Sequence, residues 1–257
     1  MSEKVKIYGE RNTGTNYLSQ LLQLNLEVSV LPGVVPGHIS ILSDAIRLLA
    51  PWGRLNETLI DHYFKQTYQK NLGWKHALLS TTLLQAIATY PKPVYFITMT
   101  KNPYSWLLSL HNNPYHVQNA HETFEEFLTE PWVAVGREHG STPFDNPIEM
   151  WNRKNASYLS LGGIAPALNI RYEDVLANPA KMVGSIAAEF NLPNKSKTVR
   201  NIQASTKEKE KDFSYYQHYY LDEVWKKELN DTTIAFINTH VDKKIMAFFN
   251  YMLLNAK

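Results

Sequence analysis

Gly9 and Gly14 bracket four residues in the run Lys4-Val5-Lys6-Ile7-Tyr8-Gly9-Glu10-Arg11-Asn12-Thr13-Gly14-Thr15-Asn16-Tyr17-Leu18. A loop with glycines at this spacing can wrap successive backbone N–H groups around an anion held at a helix N-terminus. Each charge–dipole contact there is worth roughly 0.3–1 kcal/mol, and the N–H donors add to it. A nucleoside triphosphatase would follow the second glycine with Lys and then Ser/Thr, which serve the β/γ-phosphates and Mg²⁺. Here Thr15 and Asn16 stand in those places. The substitution argues against Mg-ATP chemistry and leaves the anion cradle intact.

Such a loop needs a strand before it and a helix after it. Val5, Ile7 and Tyr8 favour a strand, and Tyr17, Leu18, Leu21 and Leu22 recur at helical spacing. Residues 26–31 suggest a second strand, followed by a loop at 32–37. Residues 39–70 read as helix interrupted at Pro51-Trp52-Gly53. Residues 72–79 come next, ahead of a helix through Leu83, Leu84 and Ile87. The near-continuous apolar run Val94-Tyr95-Phe96-Ile97-Thr98-Met99-Thr100 predicts a strand buried on both faces, with Pro103 opening the next helix. Residues 111–147 read as a surface excursion containing one short helix near Thr123 to Leu128. A helix at 148–161, a strand at 167–172, a helix at 179–190 and helical spacing over 222–254 complete the chain. Alternation of strand and helix predicts one α/β domain over residues 1–257, three-layered, with a central mainly parallel sheet and helices on both faces.

A phosphosulfate suits the cradle, because its sulfuryl group carries less charge to neutralise and transfers without a metal. The run from Gly9 to Leu18 resembles the 5′-phosphosulfate-binding loop of P-loop sulfotransferases, in particular members reading Gly-Glu-Arg-Asn-Ser-Gly-Thr-Asn-Tyr-Leu. The resemblance implies that Arg11, Asn12, Thr13, Gly14, Thr15 and Asn16 bind 3′-phosphoadenosine 5′-phosphosulfate as sulfuryl donor, with no metal. Lys101-Asn102-Pro103 and Ser109 resemble the family's 3′-phosphate motif, with Lys101 in place of its arginine. A cation at a strand end and a hydroxyl two turns into the next helix can converge on one phosphate, although lysine lacks arginine's bidentate fork. Trp74-Lys75-His76 is similar to the family segment at a strand end whose histidine is the base, so the resemblance implies that it lies at a strand end. His76 is therefore the expected base, His38 its rival, and Lys75 and Arg11 the expected charge partners of the transferring group and leaving phosphate. The family's cradle lysine is Asn12 here, and Glu10 needs a partner, expected to be Arg11 or a free N–H. Arg171-Tyr172-Glu173-Asp174 resembles another family segment and reads as structural. Lys207 and Lys209 match late basic residues of the 3′-phosphate site, and equally a solvated charge run. Tyr215, Tyr216, Tyr219 and Tyr220 can stack on adenine or form the inner face of a helix.

Composition narrows the remaining classes. With 26 basic and 24 acidic residues the net charge is +2, which gives no general pull toward nucleic acid or anionic membrane. The chain has no cysteine, which excludes disulfides, thiolate catalysis and cysteine-held zinc. No apolar run approaches the ~20 residues needed to span a bilayer, and the first residues carry no apolar leader. A cytoplasmic enzyme of the cytosolic or bacterial type is expected, acting on a small-molecule or glycan acceptor through a hydroxyl or amine. Two alternatives stay open: a small-molecule kinase with a degenerate loop, and a nucleotide-binding or interaction protein of the same fold that transfers nothing. His111, His116, His121, His139 and His218 sit in polar loop-like sequence and are expected at the surface.

Overall fold

The computed structural model describes residues 2–50, 54–115, 122–138, 143–204 and 210–255. The first half of the chain runs β1 (Glu3–Gly9), α1 (Thr15–Asn25), β2 (Val28–Val30), α2 (Gly37–Leu49), α3 (Leu55–Asn71), α4 (Thr81–Ala88), β3 (Tyr95–Thr100) and α5 (Pro103–Asn112). The second half adds α6 (Phe124–Thr129), α7 (Pro147–Leu159), β4 (Ala167–Arg171), α8 (Tyr172–Ala177), α9 (Pro179–Glu189), α10 (Phe213–Leu221), α11 (Asp231–His240) and α12 (Lys243–Phe248).

Among the described residues the strands form a single sheet ordered β2-β1-β3-β4, every neighbouring pair parallel. Val5 through Gly9 are all buried, as are Phe96 through Thr100. Successive strand residues point to opposite faces, so both faces of the two central strands are covered, as the apolar run at 94–100 predicts. Helices flank the sheet in an α/β fold. The chain leaves β1 for β2 on one side and returns to β3 on the other. That makes the gap between the C-terminal ends of β1 and β3 a topological switch point, where open α/β sheets bind ligands.

Lys6 is a charged residue in the central strand, completely buried. Its ammonium donates to the carbonyls of Pro32 (2.9 Å), Asn71 (2.6 Å) and Gly73 (2.6 Å). Two residues on along the same face, the Tyr8 hydroxyl donates to the Leu72 carbonyl. Strand β1 thereby holds the turn that ends α3. In that turn Leu72 (φ 56°) and Gly73 (φ 78°) are consecutive left-handed residues. This corrects the expectation that Trp74-Lys75-His76 lies at a strand end. The two left-handed residues end α3, and the segment that follows is an irregular turn.

Helical spacing over 222–254 also breaks up. A short 3-10 turn at Val224–Glu228 precedes α11, which Asn230 caps with a capping box, and the Asp242 side chain then caps α12. Each cap draws the backbone out of helical geometry just before the next helix starts. His111 is not a surface residue; it is half-buried, with ring contacts to Phe124 (5.5 Å) and Phe127 (5.3 Å). His218 is exposed beside Asp222, and His116, His121 and His139 lie outside the described residues. Among the described residues no helix is long and apolar enough to cross a membrane.

Candidate active site

The two glycines of the cradle are required for different reasons. A Cβ on Gly9 would lie 2.6 Å from the Met99 carbonyl oxygen of β3, so the loop can leave β1 only by passing close to its neighbour's backbone. Gly14 sits at φ 83°, and a Cβ there would meet the Tyr172 ring at 2.5 Å. Asn12 is left-handed as well (φ 65°), a conformation that asparagine tolerates better than most side chains. Its amide donates to the Ser109 carbonyl (3.1 Å), tying the loop to α5. The Thr13 hydroxyl turns back to the Glu10 carbonyl (2.6 Å). Within α1 the first backbone bond runs from Leu18 N–H to the Gly14 carbonyl (3.0 Å). The N–H groups of Thr15, Asn16 and Tyr17 thus have no acceptor in their own helix, and these residues line a cleft of about 450 Å³.

Lys75 and His76 reach the same cleft from the turn after α3. The Lys75 carbonyl accepts from Gly9 N–H (3.0 Å), and Lys75 N–H donates to the Gly33 carbonyl (3.1 Å). Its ammonium donates to the Asn16 side-chain oxygen at the start of α1. His76 Nδ1 bonds the Gly9 carbonyl, which can only accept, so Nδ1 carries the hydrogen and Nε2 keeps its lone pair. Burial, then the charge of Lys75 and then that of Arg11, hold the imidazole well below the usual histidine pKa, with Lys154 adding to them and the Gly9 bond opposing. His38 is exposed in the first turn of α2 and does not line the cleft.

The sign of that shift makes a prediction. Above the ordinary histidine pKa both folded and unfolded chains hold His76 neutral; below about 6.5 the unfolded chain takes up a proton that the folded one resists. Stability is therefore expected to fall with pH below that point by up to about 1.4 kcal/mol per unit until the folded pKa is reached. An anion in the cradle would offset the surrounding cations. The His76 ring, followed by NMR, should remain neutral at pH 6 in the free protein and titrate at higher pH with 3′,5′-adenosine bisphosphate present. A free-protein titration near 6.5 that the nucleotide does not move would contradict this.

Glu10 is buried in the cradle loop and fully partnered. One carboxylate oxygen accepts from Arg11 N–H and from the Tyr115 hydroxyl, each at 2.6 Å, and the other takes the Lys154 ammonium. The expected bond to Arg11 is present through its main chain, whereas the neutralising charge is Lys154, which sequence reasoning missed. The Arg11 guanidinium lies over the Tyr115 ring (4.3 Å) and near the Trp74 ring (5.5 Å), on the wall of the cleft.

The structure brings Lys101 and Ser109 together. Lys101 Nζ donates to Ser109 Oγ (2.9 Å) and to the Asn12 carbonyl (3.3 Å), and it packs 3.6 Å from the centre of the Tyr220 ring. The Tyr220 hydroxyl reaches Ser109 Oγ at 3.0 Å. Ser109 and Tyr220 line the cleft, while the Lys101 ammonium is buried behind them. Tyr215, Tyr216 and Tyr219 line it too, with Lys211 nearby, and Lys207 and Lys209 lie outside the described residues.

Arg171-Tyr172-Glu173-Asp174 is structural in part. Glu173 accepts from Asn102 N–H (2.9 Å) and from the Tyr251 hydroxyl (2.7 Å), bracing the start of α5, and Arg171 pairs with Asp174 (2.8 Å). Tyr172 itself faces the cleft, with Tyr17 and Phe213. Its place directly after a core strand was the signal available for it. Among the described residues no group of three or more His, Asp or Glu side chains is arranged to hold a metal ion.

Parallel α/β architecture with a helix N-terminus lining a cleft at its switch point is the class that fold and cleft define. No protein-family model matches the chain, and no curated protein matches it. The chain is similar to three solved sulfotransferase structures. One is the sulfotransferase domain of the curacin biosynthetic pathway, at 13% identity and TM-score 0.42, covering 99% of each chain. A sulfotransferase from Alicyclobacillus acidocaldarius is similar at 14% identity and TM-score 0.44, covering 98% of each. Mouse sulfotransferase SULT7A1 complexed with PAP is similar at 15% identity and TM-score 0.41, covering 76% of this chain and 61% of that one.

Proposed function

We propose that the protein transfers a sulfuryl group from 3′-phosphoadenosine 5′-phosphosulfate to a hydroxyl or amine of an acceptor. The observation that carries this reading is the pairing of His76 Nε2, kept as a free base by the Nδ1 bond to Gly9, with a cradle that lacks the Lys-Ser/Thr of Mg-dependent phosphoryl transfer. The donor's 5′ end is assigned to the cradle because the residues at the start of α1, whose N–H groups lack helical acceptors, line the cleft together with Arg11 and Lys75.

His76 Nε2 takes the acceptor's proton as the acceptor oxygen or nitrogen bonds to sulfur and the sulfur–oxygen bond to the 5′-phosphate breaks. The N–H groups at the start of α1 hold the charge gathering on that phosphate, and Arg11 and Lys75 supply positive charge beside it. Ser109 and Tyr220 present hydroxyls to the 3′-phosphate, backed by the Lys101 ammonium. The tyrosines of α10 with Tyr17 and Phe213 offer aromatic faces to adenine.

Calorimetry with 3′,5′-adenosine bisphosphate, set against ATP with Mg²⁺, tests the donor. Metal-independent preference for the bisphosphate is the expected result, and preference for Mg-ATP would replace the reading with a kinase. Binding without sulfate transfer to any of a broad panel of alcohols, phenols, amines and glycans would favour a non-catalytic nucleotide-binding protein.

A further inference from the structure

We infer that Lys154, a residue of α7 outside the cleft, is the positioning residue that holds the base segment and the phosphosulfate cradle in one fixed relation. This rests on the sulfotransferase reading. The Lys154 side chain is completely buried. Its ammonium pairs with Glu10 in the cradle loop, with Glu138 (2.8 Å), and with the main-chain carbonyl of His76 (2.9 Å). Those partners belong to three separate segments, which this one ammonium joins in addition to the bonds of Gly9 with Lys75 and His76.

An ammonium taken out of water is retained only where its partners offset the desolvation, and a methionine of similar length would fill the same space without that demand. Geometry shows what the charge accomplishes. Glu10, held by Lys154, uses its other oxygen to fix Arg11 N–H and the Tyr115 hydroxyl, and the Tyr115 ring carries the Arg11 guanidinium. The Glu138 carbonyl accepts from Leu78 N–H (2.8 Å), just beyond His76. Lys154 therefore reaches the base through one carbonyl and the cradle with its arginine through one carboxylate.

The charged groups bearing on His76 are Lys75 on its own segment, Arg11 on the cradle and Lys154 on α7, with Glu10 and Glu138 around Lys154. Lys154→Met should retain 3′,5′-adenosine bisphosphate affinity within a few-fold, because the N–H groups of α1 remain. Its kcat should fall by about 100-fold, the scale of a small misplacement of reacting groups. Glu138→Gln leaves Lys154 offset by one carboxylate instead of two, so the acid limb of kcat and the His76 ring titration should move to lower pH. A purely structural role would lower rates equally at all pH and move neither.

Wild-type kcat in Lys154→Met, parallel loss of nucleotide affinity and kcat, or an unmoved His76 titration in Glu138→Gln would each overturn the inference. If Lys154→Met does not fold, the Glu138→Gln titration alone decides. That titration is read by NMR without turnover, so a wild-type protein that transfers no sulfate would sink the proposed reaction and leave this result standing separately.

Discussion

Replacing His76 with alanine is expected to lower turnover by about two to four orders of magnitude, the range for loss of a general base. Affinity for 3′,5′-adenosine bisphosphate should stay nearly unchanged. The imidazole contributes one lone pair to the cleft, at Nε2, while its Nδ1 bonds the Gly9 carbonyl rather than an N–H of the cradle. Losing it removes an interaction made with the acceptor's proton in the transition state, which lowers kcat and kcat/KM together. The Gly9 loop keeps its other attachments, namely Gly9 N–H to the Lys75 carbonyl and Thr13 to Glu10. Lys101→Ala should show the opposite pattern. Removing the ammonium under Ser109 and Tyr220 should weaken nucleotide binding first and turnover only through it. Steady-state kinetics with calorimetry on both variants separates the roles. Near-normal turnover in His76→Ala would end the assignment of the base, and the exposed His38, away from the cleft, would be a poor successor.

Gly14→Ala should abolish measurable nucleotide binding and strongly destabilise the fold. Left-handed backbone costs an L-residue roughly 1–2 kcal/mol, and overpacking a buried contact adds about 1–3 kcal/mol. Both apply here, since the new methyl would sit 2.5 Å from the Tyr172 ring at φ 83°. The ring is buried against Tyr220 with Lys101 on its other contact, so it can yield only toward the cleft it lines, into the space proposed for the nucleotide. The sum, about 2–5 kcal/mol, is a large part of the 5–15 kcal/mol by which domains are stable. Any relief by backbone shift would turn the N–H groups of Thr15 and Asn16 away from the cleft. Gly184, exposed within α9 with nothing near its Cβ position, is the control: Gly184→Ala should stabilise by up to about 1 kcal/mol. Urea denaturation and calorimetry on the pair check both. Unchanged stability and binding in Gly14→Ala would show that the loop does not need its glycine.

What the amino-acid sequence determined by itself was local. Strand, glycine loop and helix from Val5 to Leu22 are contiguous, so their periods and spacing state their geometry. Lys101 and Ser109 share one strand end and one helix, so their convergence follows from helical rise and direction alone. The alternation of strands and helices carried the parallel α/β class in the same way. Packing between distant segments decided the rest. Glu10 stood out in sequence as a carboxylate needing a partner, but Lys154 looks like any solvated charge, and only the docking of α7 against the cradle makes the two a buried pair. Lys6 shows no sign in its strand of the three carbonyls it gathers, because those come from the loop after β2 and the end of α3. Trp74-Lys75-His76 left its expected strand end because two left-handed residues, held by Lys6 and Tyr8, turn the chain there. The tautomer of His76 was settled only by the placement of the Gly9 carbonyl against its ring. Hydrogen bonds and ion pairs between segments depend on where whole elements come to rest, and neither periodicity nor spacing within one element records that.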